Sequence, residues 1–290
     1  MKKVLLTGSS SGFGFLAAKT LAAKGHTVYA TMRNINGTNG TNASNAQALR
    51  DWAKTNNAKL EVVELDVTSD ASAQAAIKTI LANSGGTIDV LINNAGISFI
   101  GISETLTTEQ ANQLFQVNTI GTDRMIRAVL PTMHKQGSGL IINVSSVQAR
   151  QMIPTFTVYN ATKAAVDALS VGYYYELRSS GIDVAIIQPG GYPTTDIVSK
   201  GIQAANPEAE KFYGADMIKV KNSLTHYFTP TETSPNPQPV ADKMLELVDA
   251  KQGERALWSL VGAGPLEGYI DQINQTTKTI GDILVSNLTA

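Results

Sequence analysis

The chain has 290 residues, of which 43% are hydrophobic and 16% are charged, and its net charge is −1. This balance supplies no basic field for nucleic acid, and no apolar run approaches the roughly 20 residues that span a membrane. Because there is no cysteine, disulfides and thiolate metal sites are excluded. Its start, MKKVLLTG, indicates a first strand rather than a signal peptide. We therefore expect a cytoplasmic protein that binds neither membranes nor nucleic acids.

The first predicted elements are a strand, VLLTG, and an apolar-periodic helix that follows the turn SSSGFG. Gly8, Gly12 and Gly14 fall in this turn. Glycines let the backbone approach a pyrophosphate closely, and a helix N-terminus presents free N–H groups to phosphates. The G-x-x-x-G-x-G spacing differs from the G-x-G-x-x-G of common dinucleotide-binding turns, so a purely structural turn remains an alternative.

Strands and helices are predicted to alternate along the rest of the chain. Strand-like runs lie near residues 27–31, 60–65, 88–92, 139–144 and 182–188, and helix-length segments lie at 70–83, 109–130 and 158–179. This alternation of strands and helices predicts an α/β fold with a doubly wound, Rossmann-like parallel sheet in three α/β/α layers. We expect a single domain over residues 1–290, because α/β domains of this length need not divide.

Two polar segments interrupt the pattern. Residues 34–45, with NINGTNGTNAS, lack periodicity and predict a flexible surface loop. The chain becomes irregular after Pro189, and TPTETSPNPQP near 229–239 precedes a helix with the sequence ADKMLELVDAK. We therefore expect residues 192–240 to form a small substrate-binding insert over the active site.

The choice of cofactor depends on the end of the second strand, VYATMRN. An acidic residue at this point would bind the ribose 2′-hydroxyl of NAD, whereas an arginine would accept the 2′-phosphate of NADP. Met32 is not acidic and Arg33 follows it. We therefore expect NADPH to be preferred, with NADH still possible and with Ser9 or Ser10 as a further contact to the phosphate.

Tyr159 and Lys163, in VYNATKAAV, are candidates for acid/base chemistry because a helix places positions i and i+4 on one face. A fixed cation stabilises a phenolate and lowers its pKa from about 10. Ser146 stands thirteen residues before Tyr159, at the end of the apolar run LIINVSS. A buried parallel strand would deliver this hydroxyl to its carboxyl end, where ligand sites of open α/β sheets lie.

The ordered motifs TGSSSGFG, LDV, NNAG, VN, SS, YNATK and PGGYPTT resemble the short-chain dehydrogenase/reductase family, between residue 4 and about residue 195. The resemblance implies hydride transfer between a nicotinamide cofactor and a carbonyl/alcohol pair, without a metal. An NADP(H)-dependent carbonyl reductase is the type of member it suggests. Tyr159 would then exchange the proton, Ser146 would hold the oxygen, and Lys163 would lower the tyrosine pKa and bind the nicotinamide ribose. Asn118 would hold a water that links the lysine to solvent.

The resemblance also implies a set of cofactor contacts: Gly8, Ser10, Gly12, Phe13, Gly14, Arg33, Asp66, Val67, Asn93, Ala95, Gly96, Tyr159, Lys163, Pro189, Gly190, Tyr192 and Thr194. Four alternatives stay open, and the first is that Asn93 has a chiefly structural role. Asp66 could instead cap the following turn. Tyr192 stands where a small aliphatic residue is usual and Pro193 is inserted, which leaves Thr194 and Thr195 as rivals. Ser145 is the rival of Ser146, although the thirteen-residue spacing to the tyrosine favours Ser146.

The substrate is expected to be a ketone or aldehyde with an apolar body, because no arginine cluster accompanies the site. Candidate pocket residues are Ser98, Phe99, Gln148, Met152, Phe156, Tyr192, Phe212, Tyr213 and Met217. Alcohol oxidation is the alternative direction. A cofactor-retaining epimerase or dehydratase and a non-catalytic NADP-binding regulator are the alternative functions. The family resemblance further implies a homodimer or homotetramer, formed through the helices at 109–130 and 158–179.

Overall fold

The computed structural model describes residues 1–36 and 41–289, and a seven-stranded sheet lies at its centre. All neighbouring strands are parallel, in the order β3-β2-β1-β4-β5-β6-β7. The strands are β1 Lys3–Leu6, β2 Thr27–Met32, β3 Leu60–Glu64, β4 Val90–Asn93, β5 Gly139–Val144, β6 Ile182–Pro189 and β7 Trp258–Val261. The predicted doubly wound fold is therefore confirmed, and β7 is an additional edge strand.

Helices cover both faces of this sheet. They are α1 Gly12–Ala23, α2 Thr41–Thr55, α3 Asp70–Asn83, α4 Thr108–Phe115, α5 Gly121–Gln136, α6 Thr157–Leu177, α7 Ala215–Tyr227, α8 Gln238–Asp249 and α9 Glu267–Thr289. Successive residues of a strand point to opposite faces. In β1, Val4 and Leu6 accordingly join the core beside α1 and α8, while Leu5 joins the core beside α3 and α5. None of the described helices is long and apolar enough to cross a lipid bilayer.

Two predicted elements are corrected. The loop expected over residues 34–45 is wrong from Thr41 onward, because α2 begins there and buries Ala46 and Leu49 completely. Residues 37–40 lie outside the described residues. The single helix expected over 109–130 is divided into α4 and α5 by a π-helical turn, Gln116–Ile120. Such turns often occur at functional sites.

Capping explains where the helices around this region begin and end. The Thr107 hydroxyl accepts the N–H of Gln110 at 3.2 Å, and the Gln110 side chain accepts the N–H of Thr107 at 3.2 Å. This reciprocal capping box starts α4. Helix α5 stops at Gly137, whose φ of 64° is left-handed and favours glycine. The chain then enters β5, which leads to the candidate active site.

Candidate active site

The carboxyl ends of β1, β4, β5 and β6 open onto one cavity of about 610 Å³. Its lining contains residues from the turn after each of these strands, together with part of the segment 192–240. A parallel sheet collects its strand ends in this way, which is why ligands of open α/β sheets bind there. The sequence motifs that are far apart in the chain therefore meet around one space.

The turn between β1 and α1 forms one wall of the cavity. Gly8 and Gly12 line it. Their φ values are +68° and +53°, which residues with a side chain rarely adopt. A Cβ on Gly8 would lie 2.6 Å from the Cα of Ala95, so this turn packs directly on the backbone after β4. Gly14 lies outside the lining, and a Cβ there would collide with the carbonyl oxygen of Gly8. Gly14 thus allows close packing rather than direct contact with the cavity.

The two asparagines after β4 have different surroundings. Asn93 is buried in the strand, and its Nδ2 donates to Oδ1 of Asn143 at 2.9 Å. Asn94 lines the cavity, and its Nδ2 donates to the carbonyl oxygens of Thr7 and Gly8, both at 3.0 Å. Asn93 is therefore not a lining residue, and Asn94 is a functional candidate that the sequence analysis missed. The motif NNAG contained both, and only the strand geometry distinguishes them.

Ser146, Tyr159 and Lys163 all line the cavity and are all buried. Nζ of Lys163 lies 5.7 Å from the ring centroid of Tyr159 and donates to the carbonyl oxygen of Val144 at 2.9 Å. The Ser146 Oγ accepts the N–H of Gln148 at 3.2 Å. Its rival Ser145 donates to the carbonyl oxygen of Lys163 at 3.2 Å, so that hydroxyl is engaged with the backbone of α6. This difference supports Ser146 as the serine that faces the ligand.

The expected lowering of the tyrosine pKa by the lysine is not found. Burial raises the pKa of the Tyr159 phenol to about 12, and the Ser146 hydroxyl opposes this only partly. Burial also lowers the pKa of the Lys163 ammonium to about 8, against an opposing effect of the Asp167 carboxylate. Exclusion of water disfavours the charged form of each group. Desolvation is therefore the largest influence on the pKa of both groups.

Asn118 lies in the π-helical turn and joins three segments of the site. Its Oδ1 accepts the N–H of Ile97 at 2.9 Å, and its Nδ2 donates to the carbonyl oxygen of Ile97 at 2.9 Å and to Oγ1 of Thr162 at 3.0 Å. The residue does not line the cavity. A Cβ on Gly96 would stand 3.4 Å from Oδ1 of Asn118 and 3.8 Å from Nζ of Lys163. Asn118 therefore lies close behind the wall that carries Lys163.

A buried ionic network behind Lys163 was not predicted. Asp167, one helical turn after Lys163, is 1% exposed and pairs with Nη2 of Arg150 at 2.9 Å. Its Oδ2 also accepts hydrogen bonds from Nε2 of Gln188 at 2.7 Å and from Nε1 of Trp258 at 3.4 Å. Burial raises the pKa of the Asp167 carboxyl, and the Arg150 guanidinium opposes the rise. The network connects α6 with the loop after β5, with β6 and with β7, and no local motif signals it.

Most of the other expected cofactor contacts line the cavity: Ser10, Phe13, Arg33, Asp66, Val67, Ala95, Gly96, Pro189, Gly190 and Tyr192. Oδ1 of Asp66 also accepts the Thr68 N–H at 2.9 Å, so the residue both faces the cavity and stabilises the next turn. Two expectations are corrected. The Thr194 side chain is exposed and donates to the carbonyl oxygen of Pro235, whereas Thr195 lines the cavity. Ser9 is fully buried against the carbonyl oxygen of Leu6, which leaves Ser10 as the serine that faces the cavity.

The substrate side of the cavity differs in part from the expectation. Ser98, Gln148, Phe156 and Tyr192 line it, but Phe99, Met152, Phe212, Tyr213 and Met217 do not. Phe99 is buried in a separate apolar cluster, while Met152 and Phe212 are 64% and 76% exposed. The missed lining residues include Leu224, Tyr227 and Phe228, at the end of α7. The Phe228 ring lies 5.6 Å from that of Phe156, which lies 6.0 Å from that of Tyr159.

Comparison with known proteins adds to this geometry. A family model described as short chain dehydrogenase matches residues 2–205. The chain is 33% identical over 267 residues to the oxidoreductase YusZ of Bacillus subtilis, covering 91% of this chain and 90% of that protein. It is 33% identical over 218 residues to a 3-ketodihydrosphingosine reductase of Bacteroides thetaiotaomicron, covering 75% of this chain and 74% of that protein. A solved short-chain dehydrogenase from Streptomyces avermitilis has a TM-score of 0.76 at 29% identity and covers 99% of both chains. The likeness therefore extends beyond the residues that the family model matches.

Proposed function

Because the chain belongs to the short-chain dehydrogenase/reductase family of NAD(P)-dependent oxidoreductases, we propose that it reduces an apolar ketone or aldehyde with NADPH. The observation that carries the proposal is the convergence of Ser146, Tyr159 and Lys163 on the same cavity as the glycine turn. Loss of NADPH absorbance across a panel of ketones and aldehydes tests it. Cofactor binding without turnover of any substrate would favour a cofactor-retaining or non-catalytic protein instead.

The residues of the cavity fit a dinucleotide. Gly8 and Gly12, both left-handed, place no side chain of their own between the backbone and a ligand, and α1 begins at Gly12, where a helix presents its first N–H groups to a phosphate. Asp66 and Val67 line the cavity where the adenine is expected, and Thr195 takes the role first given to Thr194. When bound, the dinucleotide supplies the hydride that the carbonyl carbon accepts.

The protein's own side chains handle the oxygen and the proton. The phenol of Tyr159, whose pKa is raised to about 12, stays protonated at neutral pH and donates its proton to the carbonyl oxygen. The Ser146 hydroxyl accepts a backbone N–H and keeps its own proton for a hydrogen bond to the same oxygen. The Lys163 ammonium places positive charge beside the developing phenolate. These three groups stabilise the charge that develops on the carbonyl oxygen and on Tyr159.

Lys163 is expected to set the alkaline limb of the pH profile. Its pKa is lowered to about 8 by burial, so the ammonium is present below that pH and is lost as the pH rises through it. We expect kcat/KM for NADPH to be level below pH 8 and to fall about tenfold per pH unit above it. The guanidinium of Lys163→Arg stays charged at higher pH. In the activity that this variant retains, the fall in kcat/KM should therefore begin at a higher pH than in the wild type. An unchanged pH profile in this variant would show that Lys163 does not cause the fall in kcat/KM.

Arg33 is expected to select NADPH over NADH. It is exposed, lines the cavity together with Ser10 and Asn42, and follows β2 in a turn whose N–H groups at Asn34 and Ile35 donate to the Glu64 carboxylate at 2.6 and 2.8 Å. Hydrogen bonds to a charged group contribute about 1.5–3 kcal/mol. Arg33→Ala should therefore raise KM for NADPH about 10–100-fold, while KM for NADH serves as the internal control. An equal change for both cofactors would contradict the assignment.

Two further proposals concern the architecture around the site. Residues 192–240 act as the substrate-binding insert, which is supported by the position of Leu224, Tyr227 and Phe228 in the cavity lining. The chain assembles as a homodimer or homotetramer, as the family resemblance implies, and acts in the cytoplasm, in agreement with its composition. Light scattering that gives only a monomer would exclude the assembly.

A further inference from the structure

Gln148 has a buried carbonyl without a hydrogen-bond partner at the edge of the reaction site. The residue lies in the short turn Val147–Ala149, is 7% exposed and lines the cavity. Its Oε1 accepts no hydrogen bond from any described residue. Because a buried polar atom without a partner is costly, such an atom in a native structure calls for an explanation. A ligand that enters the cavity can supply the missing donor.

A backbone hydrogen bond connects Gln148 directly to Ser146. Its N–H donates to Oγ of Ser146 at 3.2 Å, so the side chain starts next to the hydroxyl that holds the carbonyl oxygen of the substrate. Apolar side chains such as Val147, Ile153 and Phe156 line this part of the cavity. The amide of Gln148 therefore adds a polar group to a cavity that these apolar side chains also line.

Two other polar side chains in the lining already have partners. The hydroxyl of Ser98 donates to the carbonyl oxygen of Ile197 at 2.6 Å, and that of Thr195 donates to the carbonyl oxygen of Tyr192 at 2.7 Å. By contrast, the partnerless Oδ1 atoms of Asn93 and Asn160 belong to residues that do not line the cavity. Gln148 thus combines a buried oxygen that lacks a partner with a side chain that lines the cavity.

We propose that Gln148 determines specificity by accepting a hydrogen bond from a hydroxyl group of the substrate, one or two carbons from the reacting carbonyl. The inference rests on the proposed function and deepens it: the substrate class is an α- or β-hydroxy ketone with an apolar chain. A carboxamide oxygen accepts hydrogen bonds, and the adjoining amide can donate one to the same hydroxyl. A site built to bind a hydroxyl rejects the analogue that lacks it, because the buried polar group then stays unpaired.

The kinetic test compares 1-hydroxyoctan-2-one and 4-hydroxyoctan-2-one with octan-2-one in the wild type and in Gln148→Leu. We expect kcat/KM to favour at least one hydroxy ketone by about tenfold or more in the wild type, and the ratio to approach about one in the variant. Gln74→Leu is the matched control, since Gln74 is exposed on α3 and does not line the cavity, and it should keep the wild-type ratio. Equal ratios in the wild type and Gln148→Leu would overturn the inference.

A binding measurement keeps this inference separate from the proposed function. With saturating NADP+, octane-1,2-diol should raise Tm more than octan-2-ol does in the wild type, and this difference should disappear in Gln148→Leu. If the wild type reduces none of the ketones but shows this difference, the proposed function fails and the role of Gln148 stands. If the two alcohols stabilise both proteins equally, the role of Gln148 is refuted whether or not the ketones are reduced.

Discussion

Tyr159→Phe is expected to lower kcat for ketone reduction by about 10²–10⁴-fold, the range typical for loss of a general acid. The substitution removes one oxygen from a buried side chain and leaves the ring that packs at 6.0 Å from Phe156. Cofactor binding and the free energy of unfolding should therefore change little. The comparison requires kcat at saturating NADPH and ketone, together with the dissociation constant of NADPH.

Tyr173→Phe is the matched control for this prediction. Tyr173 lies on the same helix α6, and its hydroxyl donates to Oδ1 of Asp123 at 2.6 Å, outside the cavity lining. The same chemical change at this position should leave kcat close to the wild-type value. Retention of most activity in Tyr159→Phe, or an equal loss in both variants, would remove the proposed proton donor.

Asp167→Ala is expected to lower the free energy of unfolding by about 3–5 kcal/mol, more than any other substitution proposed for this protein. The Arg150 guanidinium would remain largely buried without its carboxylate, and the donors of Gln188 and Trp258 would lose their shared acceptor. Removing one partner of a buried pair costs more than the pair itself contributes, because the remaining charge stays desolvated. Denaturant unfolding of the wild type and the variant measures this difference.

Two further variants make this stability prediction specific. Asp167→Ala combined with Arg150→Met should recover part of the loss, because it removes the stranded charge. Glu246→Ala breaks the pair of Glu246 with Lys243, in which the glutamate is 64% exposed, and should cost no more than about 1 kcal/mol. If the single Asp167 variant costs as little as the Glu246 variant, the network is not important for the stability of the fold.

The sequence was sufficient to predict the sheet and the gathering of Ser146, Tyr159 and Lys163 around one cavity, for a physical reason. Buried parallel strands are short apolar runs, and their carboxyl ends bring Gly8, Ser146 and Pro189 to one edge wherever the chain connects them. The spacing of Tyr159 and Lys163 needs only a helix to place both on one face. Local patterns therefore carry enough information for these features.

Other features depend on contacts between distant segments, which local patterns do not contain. The polar start of α2 is helical because Ala46 and Leu49 pack in the core, so tertiary contacts outweigh composition. The pairing of Asp167 with Arg150 and Trp258 joins three elements. The central residues of β7, Ser259 and Leu260, are only partly buried, so this edge strand lacks the continuous apolar run of the buried strands. The direction of the pKa shift at Tyr159 follows from its burial, which the spacing to Lys163 could not reveal.

The most direct test of NADPH-dependent carbonyl reduction is isotope transfer. The protein is incubated with NADPH that carries deuterium on the transferable position of the nicotinamide and with an apolar ketone, and the product is analysed by mass spectrometry. We expect one deuterium on the carbinol carbon of the alcohol in the wild type and almost no labelled alcohol in Tyr159→Phe. An unlabelled product, or equal labelling by both proteins, would contradict hydride transfer with Tyr159 as the acid.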